Sequence, residues 1–239
     1  IYGASKGNTS IYKSTDNGIN WSQSGNGLPS TNLVVRACVA VTPDNPSVVY
    51  ALFGGNNNGF YGVYKSIDEG QNWTQQANSP NLLGWSTTGS DSDGQAWYDL
   101  AFAVDPNDEK ILFVGGVNCW RSTDDGQNWS LNTHWTGSGG ADYMHADEHM
   151  LKYNPLNDYI YSGNDGGLYV STNNGGNWTD ISDGLQISQF YSLGVSQTVQ
   201  DKVITGAQDN GTFLKDATNW DAVIGGDGME CIIDYTNSN

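Results

Sequence analysis

Residues Ser14–Trp21 read "STDNGINW", and the chain repeats the phrase as "SIDEGQNW" at Ser66–Trp73, "STDDGQNW" at Ser122–Trp129 and "STNNGGNW" at Ser171–Trp178. The four serines stand 52, 56 and 49 residues apart. A period of this size marks an array in which each repeat is one supersecondary unit. The octapeptide itself has the chemistry of a tight hairpin. Ser14, Ser66, Ser122 and Ser171, with Asp16, Asp68, Asp124 and the variant Asn173, can bond backbone N–H groups within the turn. Gly18, Gly70, Gly126 and Gly175 stand where a positive φ is needed. Trp21, Trp73, Trp129 and Trp178 open the outgoing strand, where each ring is expected to fold beneath its turn.

More than the octapeptide recurs. Each copy is preceded by an apolar strand ("ACVAV", "LAFAV"), a turn holding Pro43, Pro106 or Pro155, and a second apolar strand ("SVVYALF", "KILFVGG", "DYIYSG"). A third strand leads into the octapeptide and a fourth leaves it. Four short strands per repeat predict an all-β fold, a β-propeller of four-stranded blades. Blade-equivalents fall at about 1–30, 31–80, 95–135, 143–185 and 188–223, with a partial unit at 224–239. Five blades and a partial one predict an incomplete ring, completed by the remainder of a larger polypeptide.

Composition narrows the function classes. Asp and Glu number 26 against 9 Lys and Arg, a net charge of −17, which argues against a nucleic-acid partner. No run approaches the length of a membrane helix, so membrane insertion is not expected. The acidic, polar chain suits an extracellular or cell-surface setting. Cys38, Cys119 and Cys231 fit no metal motif and read mainly as buried thiols. N-x-[ST] sequons begin at Asn8, Asn20, Asn72, Asn128, Asn177 and Asn210, four of them by-products of the repeated "NW[ST]".

The consensus S-x-D-x-G-x-x-W resembles the Asp-box, or bacterial neuraminidase repeat, of sialidases, Asp-box xyloglucanases and sortilin-like receptors. "HADEHMLKYNP", "GNDGGLYVS", "GAQDNGT" and "GGDGM" also resemble sortilin-like propellers of large secreted bacterial proteins, often described as glycosyl hydrolases. The resemblance implies a structural Asp-box at the blade periphery and a function elsewhere. It implies a polysaccharide or glycoprotein ligand, with glycan binding and glycoside hydrolysis, or a non-catalytic protein-recognition scaffold. A sialidase of the usual kind needs an arginine triad, and only Arg36 and Arg121 are present.

Alignment on the turn prolines puts Arg36, Asp99 and Glu148 at equivalent positions before the innermost strands, with Asp227 or Glu230 near the same place in the last unit. Asp99, Asp147, Glu148 and Asp227 are the candidate catalytic carboxylates for a glycosidase, which needs two across the scissile bond. Arg36, Asp165 and Asp209 are candidate ligand contacts; the two Gly-flanked aspartates can equally cap turns. His145, Asp147 and His149 alternate, so an extended strand would place them on one face as ligands for Zn²⁺ or a similar ion, or as hydrogen-bonding partners of neighbouring loops. A divalent cation, Ca²⁺ or Zn²⁺, is the only cofactor these residues suggest. Trp85, Trp97, Trp120 and Trp135 lie outside the octapeptides; Trp85, Trp97 and Trp135 are candidate sugar-stacking residues, with Trp85 and Trp135 in Gly/Ser-rich inserts.

Overall fold

The computed structural model describes residues 1–5, 9–185 and 188–237; the sequon at Asn8 lies outside them. The chain divides into two compact units, Ile1–Ile181 and Ser182–Asn239. In the first, β1 (Tyr2–Ala4), β2 (Ile11–Lys13) and β3 (Ser22–Gln23) make a three-stranded sheet. A 3₁₀ turn at Thr31–Leu33 leads into β4 (Val34–Val41), β5 (Val49–Gly55), β6 (Phe60–Ser66) and β7 (Thr74–Ala77), which pair in order. The third sheet holds β8 (Ala101–Val104), β9 (Leu112–Gly115), β10 (Cys119–Ser122), β11 (Ser130–His134) and β12 (Asp142–Tyr143). The fourth holds β13 (Glu148–Tyr153), β14 (Ile160–Asn164), β15 (Gly167–Ser171) and β16 (Thr179–Asp180). The second unit is one sheet of β17 (Ser192–Val195), β18 (Val203–Ala207), β19 (Gly211–Asp216) and β20 (Asn219–Ile224).

The architecture is therefore all-β, with a blade-like antiparallel sheet for each repeat. Two sheets depart from the four-strand expectation. The first has three strands, and the third gains β12, which joins β11 in parallel. Within the first unit the leading strands β1, β4, β8 and β13 contact one another in chain order. The core lies between successive sheets. Tyr50, Leu52, Leu112, Val114 and Trp120 close the space between the second and third, and Phe113, Met144, Leu151 and Ile160 that between the third and fourth. Strands covered on both faces explain the continuous apolar runs in β5 and β9.

Each octapeptide makes the same knot. The Ser hydroxyl accepts from the Gly N–H, at 2.8 Å for Ser14, Ser66 and Ser171 and 3.0 Å for Ser122. It donates to the Asp carboxylate at 2.8–2.9 Å, and to the Asn173 amide oxygen at 3.0 Å. The residue before each Gly also has a positive φ: Asn17, Glu69, Asp125 and Asn174 lie at 57–64°. Two consecutive left-handed residues make the type I′ turn that matches the twist of a hairpin. The Asp then accepts from the backbone and side chain of the Asn before the Trp, as Asp16 does from Asn20 at 2.9 and 2.7 Å. That Asn is spent on the turn, which accounts for the recurring "NW[ST]" without glycosylation.

The octapeptides also join one sheet to the next. Glu69 pairs with Lys13 of the preceding sheet at 2.7 Å, and Asp125 with Lys65 at 2.8 Å. Trp73 Nε1 donates to Gly70 O and to Ser24 Oγ, and Trp178 Nε1 donates to Asn132 Oδ1 of the third sheet. Neighbours decide the burial of the Trp ring, so the expectation of a buried ring at every copy needs correction. Trp73 is 6% exposed, but Trp21 is 46% exposed, although its indole keeps the bond to Gly18 O at 3.0 Å. Trp129 and Trp178 are half-buried.

Trp73→Ala should lower the unfolding free energy by about 3–5 kcal/mol, the usual range for a buried aromatic. Trp21→Ala should cost about 1 kcal/mol or less. Urea titration of the two variants measures the difference; equal costs would show that burial does not set the contribution of this residue.

Candidate functional site

The site is assembled where the third and fourth sheets begin. Residues 95–99 form a turn in which Tyr98 N and Asp99 N donate to Gln95 O. Arg36 of β4 reaches across and donates through Nη1 to Ala96 O, Trp97 O and Tyr98 O, at 3.3, 3.3 and 2.7 Å. A guanidinium has donors enough for several carbonyls and here uses one nitrogen for all three. Arg36, a candidate ligand contact in the sequence, is thus a clamp on the turn. The clamp holds two rings outward: Trp97 is 66% exposed and Tyr98 37%. Their centroids lie 5.4 Å apart. Tyr98 meets the His149 ring edge-on at 4.9 Å and donates to Asp165 Oδ2 at 2.5 Å. His149 Nε2 bonds the other oxygen of Asp165 at 2.7 Å.

Behind this ledge lies a group of carboxyls. Asp99 is fully buried, and Gln95 Nε2 donates to its Oδ2 at 2.9 Å and also to Asp147 Oδ1. Asp99 and Asp147 are in hydrogen-bonding contact with each other, while Asp99 Oδ1, also buried, has no N–H or O–H donor. Two carboxyls in contact hold a proton between them. Burial, opposed by the Gln95 bond and reinforced by Asp147, pushes Asp99 up to about 7. Burial and then the charge of Asp165 raise Asp147. Glu148 is 1% exposed and takes hydrogen bonds from Ser162 Oγ and Asn164 Nδ2. Its burial outweighs those two bonds and pushes it to about 8, so it is a neutral acid at physiological pH. Gly115 makes room for it, because a Cβ there would stand 2.6 Å from Glu148 Cβ.

Asp99, Asp147, Glu148, Asp165 and His149 therefore come together; the alignment of strand starts names only Asp99 and Glu148 among these five. Their accessibility differs from what a catalytic pair would need. Asp99 and Glu148 are sealed, and Asp99 touches Asp147 instead of facing it across a gap. The half-exposed carboxylates are Asp147 and Asp165, with oxygens within 4.8 Å of one another. The arrangement can accept hydrogen bonds from hydroxyl or ammonium groups beside an aromatic ledge.

His145, Asp147 and His149 do not share a strand face. β13 begins only at Glu148, Asp147 has φ 69°, and a bulge separates Glu148 from Met150, so the alternation is broken at each step. His145 Nδ1 lies 3.2 Å from Ala146 O, and its ring packs against Gly166, while His149 is bound to Asp165. No metal-ligand role is assigned to the three. Trp120 is core, 3% exposed. Trp85 and Trp135 are exposed at 39% and 44%, and their loops are tied through Asn118, which donates to Trp85 O and accepts from Trp135 N. In the second unit, Asp227 Oδ1 accepts from Asp209 N at 3.2 Å, and Glu230 accepts from Ser192 Oγ at 2.9 Å. Gln95, Tyr98, Ser162 and Asn164 escaped sequence reading. A polar Ser162 within an otherwise strand-like "IYSGN" was the available signal for a buried partner.

Carboxyls raised in the fold contribute stability that is complete below about pH 4 and is lost as pH rises through their folded values. For Asp99 and Glu148 that loss falls around 7 and 8. Asp16 and Asp68, held near 2 chiefly by their hydrogen bonds to Asn20 and Asn72, act in the opposite sense, their contribution fading only in acid. The melting temperature should be highest at about pH 4–6 and fall towards about pH 9, and Glu148→Gln should flatten the alkaline part. A melting temperature rising over that range would contradict this assignment of charge.

The BNR/Asp-box repeat model matches residues 12–23. A xyloglucanase from Paenibacillus sp. is 28% identical over 170 residues, covering 60% of this chain and 16% of that protein. The GH74 xyloglucanase from Xanthomonas campestris superposes with a TM-score of 0.53 at 19% identity, over 92% of this chain and 36% of that one. A chain of a nidogen/laminin complex gives a TM-score of 0.50 at 10% identity. The chain thus spans a minor part of the xyloglucanases it matches. It carries the BNR/Asp-box repeat and folds into the blades of a β-propeller.

Proposed function

We propose that this chain is part of an extracellular propeller acting on polysaccharide, and that its own contribution is to bind glycan at the Trp97–Tyr98 ledge. The observation that carries the reading is Trp97. It is two-thirds exposed, yet it stands on a turn whose carbonyls are clamped by Arg36. A ring held out of the core by a dedicated cation is placed to stack on a sugar face, with Asp147 and Asp165 beside it to accept hydroxyl bonds. The xyloglucanase relative supports a plant-type β-glucan as the first ligand to try. An extracellular location goes with the reading because polymeric glycans do not enter cells intact. Hydrolysis is the finer possibility. A glycosidase needs carboxyl groups about 5–9.5 Å apart across the bond, and the contacting pair Asp99–Asp147 does not offer that separation. Asp147 with Asp165 is the pair to examine for it, while Asp227 and Asp209 are the candidate carboxylates that fall in the second unit.

A protein-recognition scaffold is the second reading. It is favoured by the apolar side chains exposed in the second unit, among them Phe190, Leu193 and Ile232 at 49%, 60% and 86%.

Isothermal titration with xyloglucan and other soluble β-glucans tests the choice. Binding should be seen, and Trp97→Ala should weaken it about tenfold or more, the loss typical of a central aromatic contact. The variant should unfold at the wild-type urea concentration, since the ring is exposed. Absence of binding to every glycan tried would remove this reading and leave the scaffold.

A further inference from the structure

The ledge also has a charge character that bears on which glycans it takes. Arg36 and Arg121 are the chain's two arginines, and both are engaged internally: Arg36 on three carbonyls, Arg121 over the Phe113 ring at 5.7 Å. Lys13 and Lys65 are paired with carboxylates at the octapeptide turns. Lys152 lies at the far end of β13, four residues beyond Glu148 and so roughly 13 Å along the strand. No lysine or arginine among these is directed at Asp147 and Asp165. Those carboxylates approach within 4.8 Å, and Asp147 rests against buried Asp99, whose Oδ1 has no donor. His149 and Tyr98 bond Asp165, so the donors beside it converge on that one carboxylate. The ledge therefore combines exposed rings with acceptor oxygens that repel each other.

We propose that this ledge prefers a positively charged glycan, a polymer of amino sugars with free amines, over neutral glycans and over uronic or sulfated ones. The inference rests on the glycan-binding reading above. An ammonium on a sugar stacked against Trp97 would reach Asp147 or Asp165, relieve the repulsion between them and form a charge-assisted hydrogen bond. A carboxylate or sulfate in the same place would add a third like charge beside Asp147 and Asp165.

Titration of the full chain with β-linked glucosamine oligomers, at a pH where their amines are protonated, tests this against the N-acetylated oligomers, neutral cello-oligomers and oligogalacturonates. Acetylation keeps the ring and removes the charge. The amine form should bind about fivefold tighter than the acetylated form, as expected for a half-exposed ion pair, and the advantage should shrink with salt. Asp165→Asn should reduce the ratio to within about twofold. Asp221→Asn, the same charge change on β20 of the other unit, should leave it unaltered. Equal binding of the two forms, with Trp97→Ala still weakening both, would overturn the charge preference and leave the glycan reading standing. Tighter binding of oligogalacturonates would overturn it as well. Failure of every oligomer to bind would remove the glycan reading itself.

Discussion

One hydroxyl per octapeptide organises the first four repeats of this chain. The octapeptide serine accepts from the glycine N–H and donates to the aspartate, and so closes a turn whose two central residues are both left-handed. Without that hydrogen-bonded ring the paired positive φ values would carry strain with nothing to hold them. With it, each hairpin presents three groups at fixed positions: the Trp indole, the Gly carbonyl and the side chain before the Gly. These same groups meet the preceding sheet, as Ser24 Oγ meets both Trp73 Nε1 and Gly70 O. The local turn is therefore also the fastening between neighbouring sheets.

The fourth copy shows how much of this chemistry is tolerant. Asn173 replaces the aspartate, yet it accepts from Ser171 and from Asn177 N, and its amide donates to Asn177 Oδ1. The fastening there changes as well. Asn174 stands where Glu69 and Asp125 carry charge, and it donates to buried Asp105 while accepting from Tyr153. A carboxylate at that place would face Asp105 as a like charge. An amide, which both donates and accepts, fits.

The candidate site follows from the same stacking of sheets. Packing one leading strand beside the next brings the approach to β8 against the start of β13. Asp99 and Glu148 are thereby removed from water, while Asp147 and Asp165 stay at the edge. Burial accounts for the raised proton affinity of the first two. The rings of Trp97 and Tyr98 remain outside because Arg36 binds the carbonyls beneath them. Arg36, a candidate ligand contact in the sequence, is used here as a structural cation.

Legible in the sequence are the repeat, the all-β fold, the turn chemistry and the equivalence of Asp99 and Glu148 at strand starts. These depend on spacing and on contacts between residues a few positions apart, which a single chain records directly. It misled at His145, Asp147 and His149, where a left-handed residue and a bulge break the alternation that the pattern seemed to offer. It could not reveal that Arg36 clamps the 95–99 turn, that Trp120 is core while Trp97 is not, or that Trp21 is left exposed. Those points rest on the packing of the sheets, because exposure and charge pairing are set by whichever sheet packs alongside, through contacts between residues tens of positions apart.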